Sequence, residues 1–356
     1  MCLAYLEHYG DRAQAVVQRG GHHLILSARH SERLFALLRS GRAGTRGGLI
    51  RLMASALPSA MWRKARPGAL YLNVGHTGLN EPTLPSWIER NRLRAIYLVH
   101  DLIPLTHPQY CRPGEAQKHE RRMANMLASA HGIIGNSQAT LTDLAVFAAG
   151  CGIAVPPTVA AWISGPPPLG ARASPPLDTP YFVTLGTIEG RKNHLILLEI
   201  WKALVAGLGE NAPTLVVIGQ RGWEAGAALA MLDQPSQFAG KVIELNHCDD
   251  AQLAGWIGGA RALLMPSFAE GFGLPIIEAL ELGTPVIASD LAIFREIAGA
   301  IPTFVAPDDE DAWAHWIRAF IGDDPERERQ LERMGEYRAP DWPGHFAIVD
   351  EWLARL

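Results

Sequence analysis

The sequence predicts an α/β protein made of two Rossmann-like domains whose parallel sheets face a cleft. Three observations carry that prediction. A chain of 356 residues with 48% hydrophobic content is long enough to bury two separate cores. Short apolar runs, bounded by polar or helix-like stretches, occur in two series, as expected of parallel strands buried on both faces. Between the series, residues 155–180 are crowded with proline, glycine and small side chains, the composition of a connection.

In chain order, C-L-A-Y-L-E-H-Y at 2–9 reads as a helix. Parallel strands are expected at 23–27 (H-L-I-L-S), 68–74 (G-A-L-Y-L-N-V), 95–99 (A-I-Y-L-V) and 132–135 (G-I-I-G). The linker proper is placed at 166–180. The pattern restarts at 181–185, 214–218, 241–245, 262–265, 285–288 and 303–305. Alternation of this kind builds doubly wound sheets. The last stretch sets Phe346, Val349, Trp352, Leu353 and Leu356 at helical spacing, a stripe that needs an apolar surface. The expected division is a domain over 1–165, the linker, a domain over 181–338 and a terminal helix over 339–356. Periodicity leaves open which domain that helix covers, and a return to the first is one option.

The net charge of -4 hides an asymmetry. Residues 1–150 hold 18 Lys+Arg against 9 Asp+Glu, whereas the remainder holds 14 against 27. A basic half suits contact with anionic phospholipid or with a pyrophosphate-bearing acceptor, although scattered solvated arginines explain it equally well. The basic residues form no dense run, and no nucleic-acid partner is expected. Cys2, Cys111, Cys151 and Cys248 have neither disulfide nor zinc spacing. No apolar run approaches the roughly 20 residues of a membrane span, and the start lacks a signal-peptide pattern. A cytoplasmic protein is expected, with the inner face of the cell membrane as the site of any peripheral contact.

The chemistry concentrates in M-P-S-F-A-E-G-F-G-L-P-I-I-E-A-L at 265–280, a strand, a glycine loop and a helix with Pro275 in its first turn. Gly271 and Gly273 let backbone approach a ligand, and the amides of Phe272, Gly273 and Leu274 would meet a phosphate with the helix dipole behind them. Glu270 and Glu278 are poor phosphate ligands but good acceptors for sugar and ribose hydroxyls. Together they suggest a phosphorylated, polyhydroxylated ligand.

The whole segment resembles the donor-binding signature of retaining GT-B glycosyltransferases of family 4, also called glycosyl transferases group 1. The resemblance implies that Glu270 meets the donor hexose and Glu278 the nucleotide ribose. L-G-T-I-E-G-R-K-N-H at 185–194 resembles a second family segment, which gives Lys192 the donor phosphates, alongside Gly186 and Arg191. Thr187 stands where many relatives carry arginine. Thr187 is still counted with the donor-binding residues, and the charge of Lys192 would stabilise the departing diphosphate. The base is expected at the loop of Asn246, His247 and Cys248.

In the first domain, V-H-D-L-I-P-L-T-H-P at 99–108 resembles the family loop that faces the donor sugar, making His100 and Asp101 candidates. Asp101 equally suits a turn cap. His76 in a glycine-flanked loop and Ser137 at a strand-to-helix turn are weaker candidates for the sugar or acceptor side, and Ser137 suits an N-cap as well. Glu270, Lys192 and His100 form the expected catalytic set.

Asp309-Glu310-Asp311 has the letters of a D-x-D metal motif but the context of a helix start. No metal or other cofactor is expected, the nucleotide sugar being a cosubstrate. Family members ordinarily begin with a strand and glycine loop ahead of the first helix. Here residues 2–9 already read as that helix, so a late start or a shortened domain is expected. The resemblance implies transfer of a hexose, first of all mannose from GDP-mannose, to a saccharide or polyprenyl-linked saccharide in bacterial surface-polysaccharide synthesis. An epimerase or phosphorylase of the same fold, or an inactive nucleotide-sugar-binding partner, are the alternatives.

Overall fold

The computed structural model describes residues 1–40, 45–165 and 176–356, so most of the expected linker, 166–175, lies outside the described residues. The described strands form three sheets. β1 (Val16–Arg19) and β2 (His22–Ile25) are an antiparallel hairpin. β3 (Leu70–Asn73), β4 (Arg94–Val99), β5 (Ala130–Gly135) and β6 (Thr158–Ala160) follow in spatial order as a parallel sheet. β7 (Tyr181–Leu185), β8 (Thr214–Ile218), β9 (Val242–Leu245), β10 (Leu263–Met265), β11 (Val286–Ser289) and β12 (Thr303–Val305) form a second parallel sheet, ordered β12-β11-β10-β7-β8-β9.

Two expectations are corrected. The run at 23–27 does not enter the parallel sheet. Gly20 and Gly21 both take positive φ (55° and 76°), the two-residue reversal that folds β1 onto β2. Residues 158–160, read as connection, are β6, which pairs with β5 at the sheet edge. A three-residue strand with one neighbour, set among prolines, carries little apolar signal.

Apolar side chains fill both faces of each parallel sheet. On one face of the first sheet, the helix Cys2–Tyr9 and the terminal helix Trp342–Arg355 share a core of Tyr5, Ile96, Leu98, Ile134, Phe346 and Val349. His345 Nδ1 donates to the Trp162 carbonyl at 3.0 Å, which leaves Nε2 to accept from Tyr5 Oη at 2.8 Å. Gly132 is required beneath this helix, because a Cβ there would stand 2.5 Å from the Trp352 ring.

In the second sheet the strand order reverses between β7 and β10. The loops leaving their carboxyl ends diverge there, opening the crevice in which such sheets bind ligands. Behind it the helix His194–Leu208 buries Leu197, Leu198, Ile200 and Trp201, and the Trp201 indole N–H is satisfied by the Pro213 carbonyl at 2.9 Å.

The domains meet through a borrowed helix cap. Glu296, on the helix Ala292–Ala298, accepts from the amides of Gln138 and Ala139 at 2.7 and 2.9 Å and from the Trp162 indole at 2.8 Å. Those amides open the helix Gln138–Gly150 of the other domain, where a carboxylate is favoured by both unpaired N–H groups and the helix dipole. Replacing Glu296 with alanine is expected to cost about 1–2 kcal/mol. A lower melting temperature and a larger radius of gyration in small-angle scattering would accompany that loss. Unchanged values of both would refute the clamp.

Candidate active site

The crevice is built on a buried ionic cluster. After β7 the chain turns through Gly186, at φ 128°, and a short 3-10 turn (Gly190–Lys192) carries Lys192 inward. Lys192 Nζ donates to Glu270 Oε1 at 2.5 Å, Arg191 Nη1 donates to Glu270 Oε2 at 2.8 Å, and Ser267 Oγ donates to Oε1 at 2.7 Å. Arg191 is held in turn by the Glu189 carboxylate at 2.7 Å and the Ala269 carbonyl at 2.9 Å. Burial alone would raise the Glu270 pKa, but Lys192 and Arg191 outweigh it and hold the acid below its ordinary value. Burial likewise opposes the charge on Arg191, yet Glu270 and Glu189 together raise its pKa. Such a charged group is stable out of water only when every member is paired. Gly186 leaves room for the lysine, since a Cβ there would stand 3.2 Å from Lys192 Nζ.

Beyond Glu270 the loop enters the helix Leu274–Glu281 through Gly273, at φ 106°. A Cβ at Gly273 would strike Phe294 at 2.9 Å, so both shape and conformation demand glycine. Phe272 turns its ring into the core, which leaves only its backbone for a ligand. The amides of Phe272, Gly273 and Leu274 are not hydrogen-bonded to any other described residue. One turn on, Glu278 Oε2 is buried without a hydrogen bond. Burial, then the nearby carboxylates of Asp250 and Glu281, raise the Glu278 pKa to about 7. An unpaired buried carboxylate oxygen beside free amides is ready for hydroxyl donors.

The first domain presents the carboxyl ends of β3, β4 and β5 to the same place. A Cβ on Gly271 would stand 3.2 Å from Asp101 Oδ2, and Asn136 Nδ2 donates to both the His100 and Gly271 carbonyls, at 2.7 and 3.0 Å. His100 and Asp101 therefore lie against the Glu270 loop. His100 Nε2 donates to the Val74 carbonyl at 2.9 Å, which leaves Nδ1 uncommitted to that bond. Asp101 also takes the Ile103 amide at 3.1 Å, the turn-capping role. His76 sits with φ 55° and its ring 5.0 Å from that of His100 and 6.0 Å from that of His119. Burial, then His100 and His119, lower the His76 pKa to about 3, which keeps the ring neutral.

Other candidates fall elsewhere. Ser137, which suits either role in the sequence, is fully buried, and its Oγ accepts from the Thr140 amide as an N-cap. Thr187 turns its methyl toward Gly222. Asn246 and His247 are exposed after β9, the edge strand two places from the strand-order reversal. Asp309 caps the helix Glu310–Ile321 through the Ala312 amide. Among the described residues no three His, Cys, Asp or Glu side chains converge as metal ligands. Ser267, Glu189, Asn136 and His194 were not singled out from the sequence. His194 is buried behind Lys192 with both ring nitrogens unpartnered, and burial, then the Lys192 charge, lower its pKa to about 4. Its adjacency to R-K-N was the available signal.

Residues 179–323 match the Glycosyl transferases group 1 family. This stretch is a glycosyl transferases group 1 domain. The group 1 domain contains every member of the ionic cluster and Glu278. The chain is 34% identical over 148 residues to O-antigen chain mannosyltransferase B of Escherichia coli, covering 42% of this chain and 38% of that one. It is 28% identical over 220 residues to the serotype-specific mannosyltransferase WbdA of Escherichia coli, covering 57% and 27%. It is 29% identical over 178 residues to the O-antigen chain mannosyltransferase RfbU of Salmonella typhimurium, covering 49% and 47%. The matches span less than half the length of each of these relatives. Among solved structures, Anabaena Alr3699/HepE in complex with UDP and glucose superposes with a TM-score of 0.64 at 18% identity, covering 88% of this chain and 83% of that one. WaaG, a glycosyltransferase involved in lipopolysaccharide biosynthesis, gives 0.55 at 16%, covering 74% and 80%. The fold around the group 1 domain is GT-B.

Because the folded chain holds the Glu278 proton more tightly than the unfolded one, ionising this acid removes stability as pH rises between about 4.5 and 7. Glu278→Gln is therefore expected to match the parent near the lower limit and to exceed it by roughly 1–2 kcal/mol at alkaline pH, after allowance for partial exposure. Denaturant titrations across pH would read the difference. A constant offset would exclude the unpaired acid.

Proposed function

We propose that the chain is a hexosyltransferase that moves a hexose from a nucleoside diphosphate donor to a saccharide or lipid-linked saccharide. Mannose from GDP-mannose is the first donor, surface polysaccharide the product class, and anomeric configuration is retained. The observation that carries this reading is the pairing, at the strand-order reversal, of a buried Lys192–Glu270 contact with an unpartnered acid one helical turn away. The names of the relatives, mannosyltransferases of O-antigen chains, support the donor and the product class.

In this mechanism the donor phosphates meet Lys192 and the free amides of residues 272–274. Lys192 has three N–H donors and commits one to Glu270, so it can hold a phosphate without releasing the acid. The hexose hydroxyls lie at Glu270, the ribose at Glu278 and the base near Asn246 and His247. The acceptor hydroxyl approaches C1 on the face from which the diphosphate departs. As the acceptor O–C1 bond forms and the C1–O phosphate bond breaks, the proton passes to the leaving phosphate oxygen. Lys192 and Arg191 stabilise the charge that develops there without a metal. His100 and Asp101 close the sugar side and exclude water. Glu270, locked by three donors, positions hydroxyls and is not a nucleophile.

Lys192→Ala is expected to lower transfer by roughly a hundredfold or more, the usual scale for removing one electrostatic stabiliser. Glu278→Ala is expected to weaken nucleotide-sugar binding by about tenfold with a smaller effect on turnover. Calorimetry against a panel of nucleotide sugars, followed by transfer to a polyprenyl-linked saccharide, measures both. Parent-like affinity and turnover in both variants would remove the donor from this crevice.

A further inference from the structure

The helix Thr45–Ala60 packs one side, Leu52, Ala56 and Ala60, against the core beneath the β1–β2 hairpin. Its opposite side is apolar too. Ile50 is 70% exposed, Leu57 44%, and Met61 63% as the helix runs out, while Trp62 in the following turn is 85% exposed. Positions 50, 57 and 61 are separated by two and three helical turns and share one stripe. Four large apolar side chains offered to water on this helix and the turn that follows it exceed the singly scattered exposure of an ordinary surface.

The charge around this stripe has one sign. Residues 45–66 contain no Asp or Glu and five basic residues, Arg46, Arg51, Arg63, Lys64 and Arg66. Arg51, Arg63, Lys64 and Arg66 are exposed, and none forms an ion pair with another described residue. An apolar stripe ended by tryptophan and flanked by unpaired cations fits the boundary between acyl chains and anionic headgroups. A second copy of the same face would bring like charges together. No helix among the described residues is long and apolar enough to cross a membrane, so contact here would lie in the plane of the interface.

We propose that the outward face of the helix Thr45–Ala60, with Met61, Trp62 and the basic residues after them, docks the protein on an anionic phospholipid surface. The assignment rests on this face alone and does not depend on the donor site. It gives the basic half of the chain a specific place of contact.

The test is flotation of the full chain with vesicles of phosphatidylglycerol and phosphatidylethanolamine, compared with phosphatidylcholine vesicles. The parent should float with the anionic vesicles and be released by salt. Combining Ile50→Ser, Leu57→Ser and Trp62→Ala should lower the bound fraction at least roughly tenfold with melting temperature and calorimetric nucleotide binding unchanged. Arg63→Gln with Lys64→Gln and Arg66→Gln should abolish the preference for anionic lipid. Val146→Ser, at an exposed apolar residue on another helix, should change nothing. The proposal is overturned if the parent binds both vesicle types equally or not at all, or if the apolar triple variant floats like the parent. It is equally overturned if that variant instead turns a dimer into a monomer in light scattering with lipid binding intact.

Discussion

The Lys192–Glu270 contact is the constraint around which the crevice is arranged. A carboxylate this deeply buried has lost its hydration and stays charged only because Lys192, Arg191 and Ser267 replace the water. Its partners come from the loops after β7 and β10, so the ion cluster also fixes how far those loops separate. The Phe268 amide donates to the Arg191 carbonyl at 2.7 Å, and the Gly219 backbone lies so close to the Gly186 carbonyl that a Cβ there would stand 1.9 Å away. The free amides of the next helix and the unpaired Glu278 are held at a set distance from Lys192 because this frame does not open.

The other wall depends on how the domains are held. Asn136 bonds to the His100 carbonyl on its own side and to the Gly271 carbonyl across the cleft, while the Tyr110 ring stacks on Phe268 at 5.2 Å. The Trp223 indole adds a bond to the Tyr110 carbonyl, and the Arg112 guanidinium lies over the Trp223 ring. With the Glu296 cap, these contacts surround the point where Asp101 meets Gly271. Each is small, and such interfaces within one chain remain capable of opening for a substrate.

Much of this was legible in the sequence where burial writes an unbroken apolar run. β4, β7, β8 and β11 are covered on both faces and stand out, and the segments at 185–194 and 265–280 could be read as two sides of one crevice because each follows such a strand. The hairpin was misread because H-L-I-L looks alike in either kind of sheet, and only the positive φ of Gly20 and Gly21 separates them. Ser137 kept two readings, since a hydroxyl before a helix looks the same whether it caps or binds. Glu296 gave no signal, for its partners lie far back in the chain and a surface glutamate on a helix is ordinary. The salt links of Glu189 and Ser267 depend on side-chain directions within tight turns, which spacing does not encode.

The pairing of the helix Cys2–Tyr9 with the helix Trp342–Arg355 bears on how the chain is made. One face of the first sheet is covered only by the helix Cys2–Tyr9 until Phe346, Val349 and Trp352 have left the ribosome, by which time the second domain has all its strands. The domain encoded second can therefore mature first, reversing the usual order of synthesis and folding. Throughout that interval the core of Ile96, Leu98 and Ile134 is closed on one side only, which leaves apolar surface on a nascent protein for a chaperone to hold.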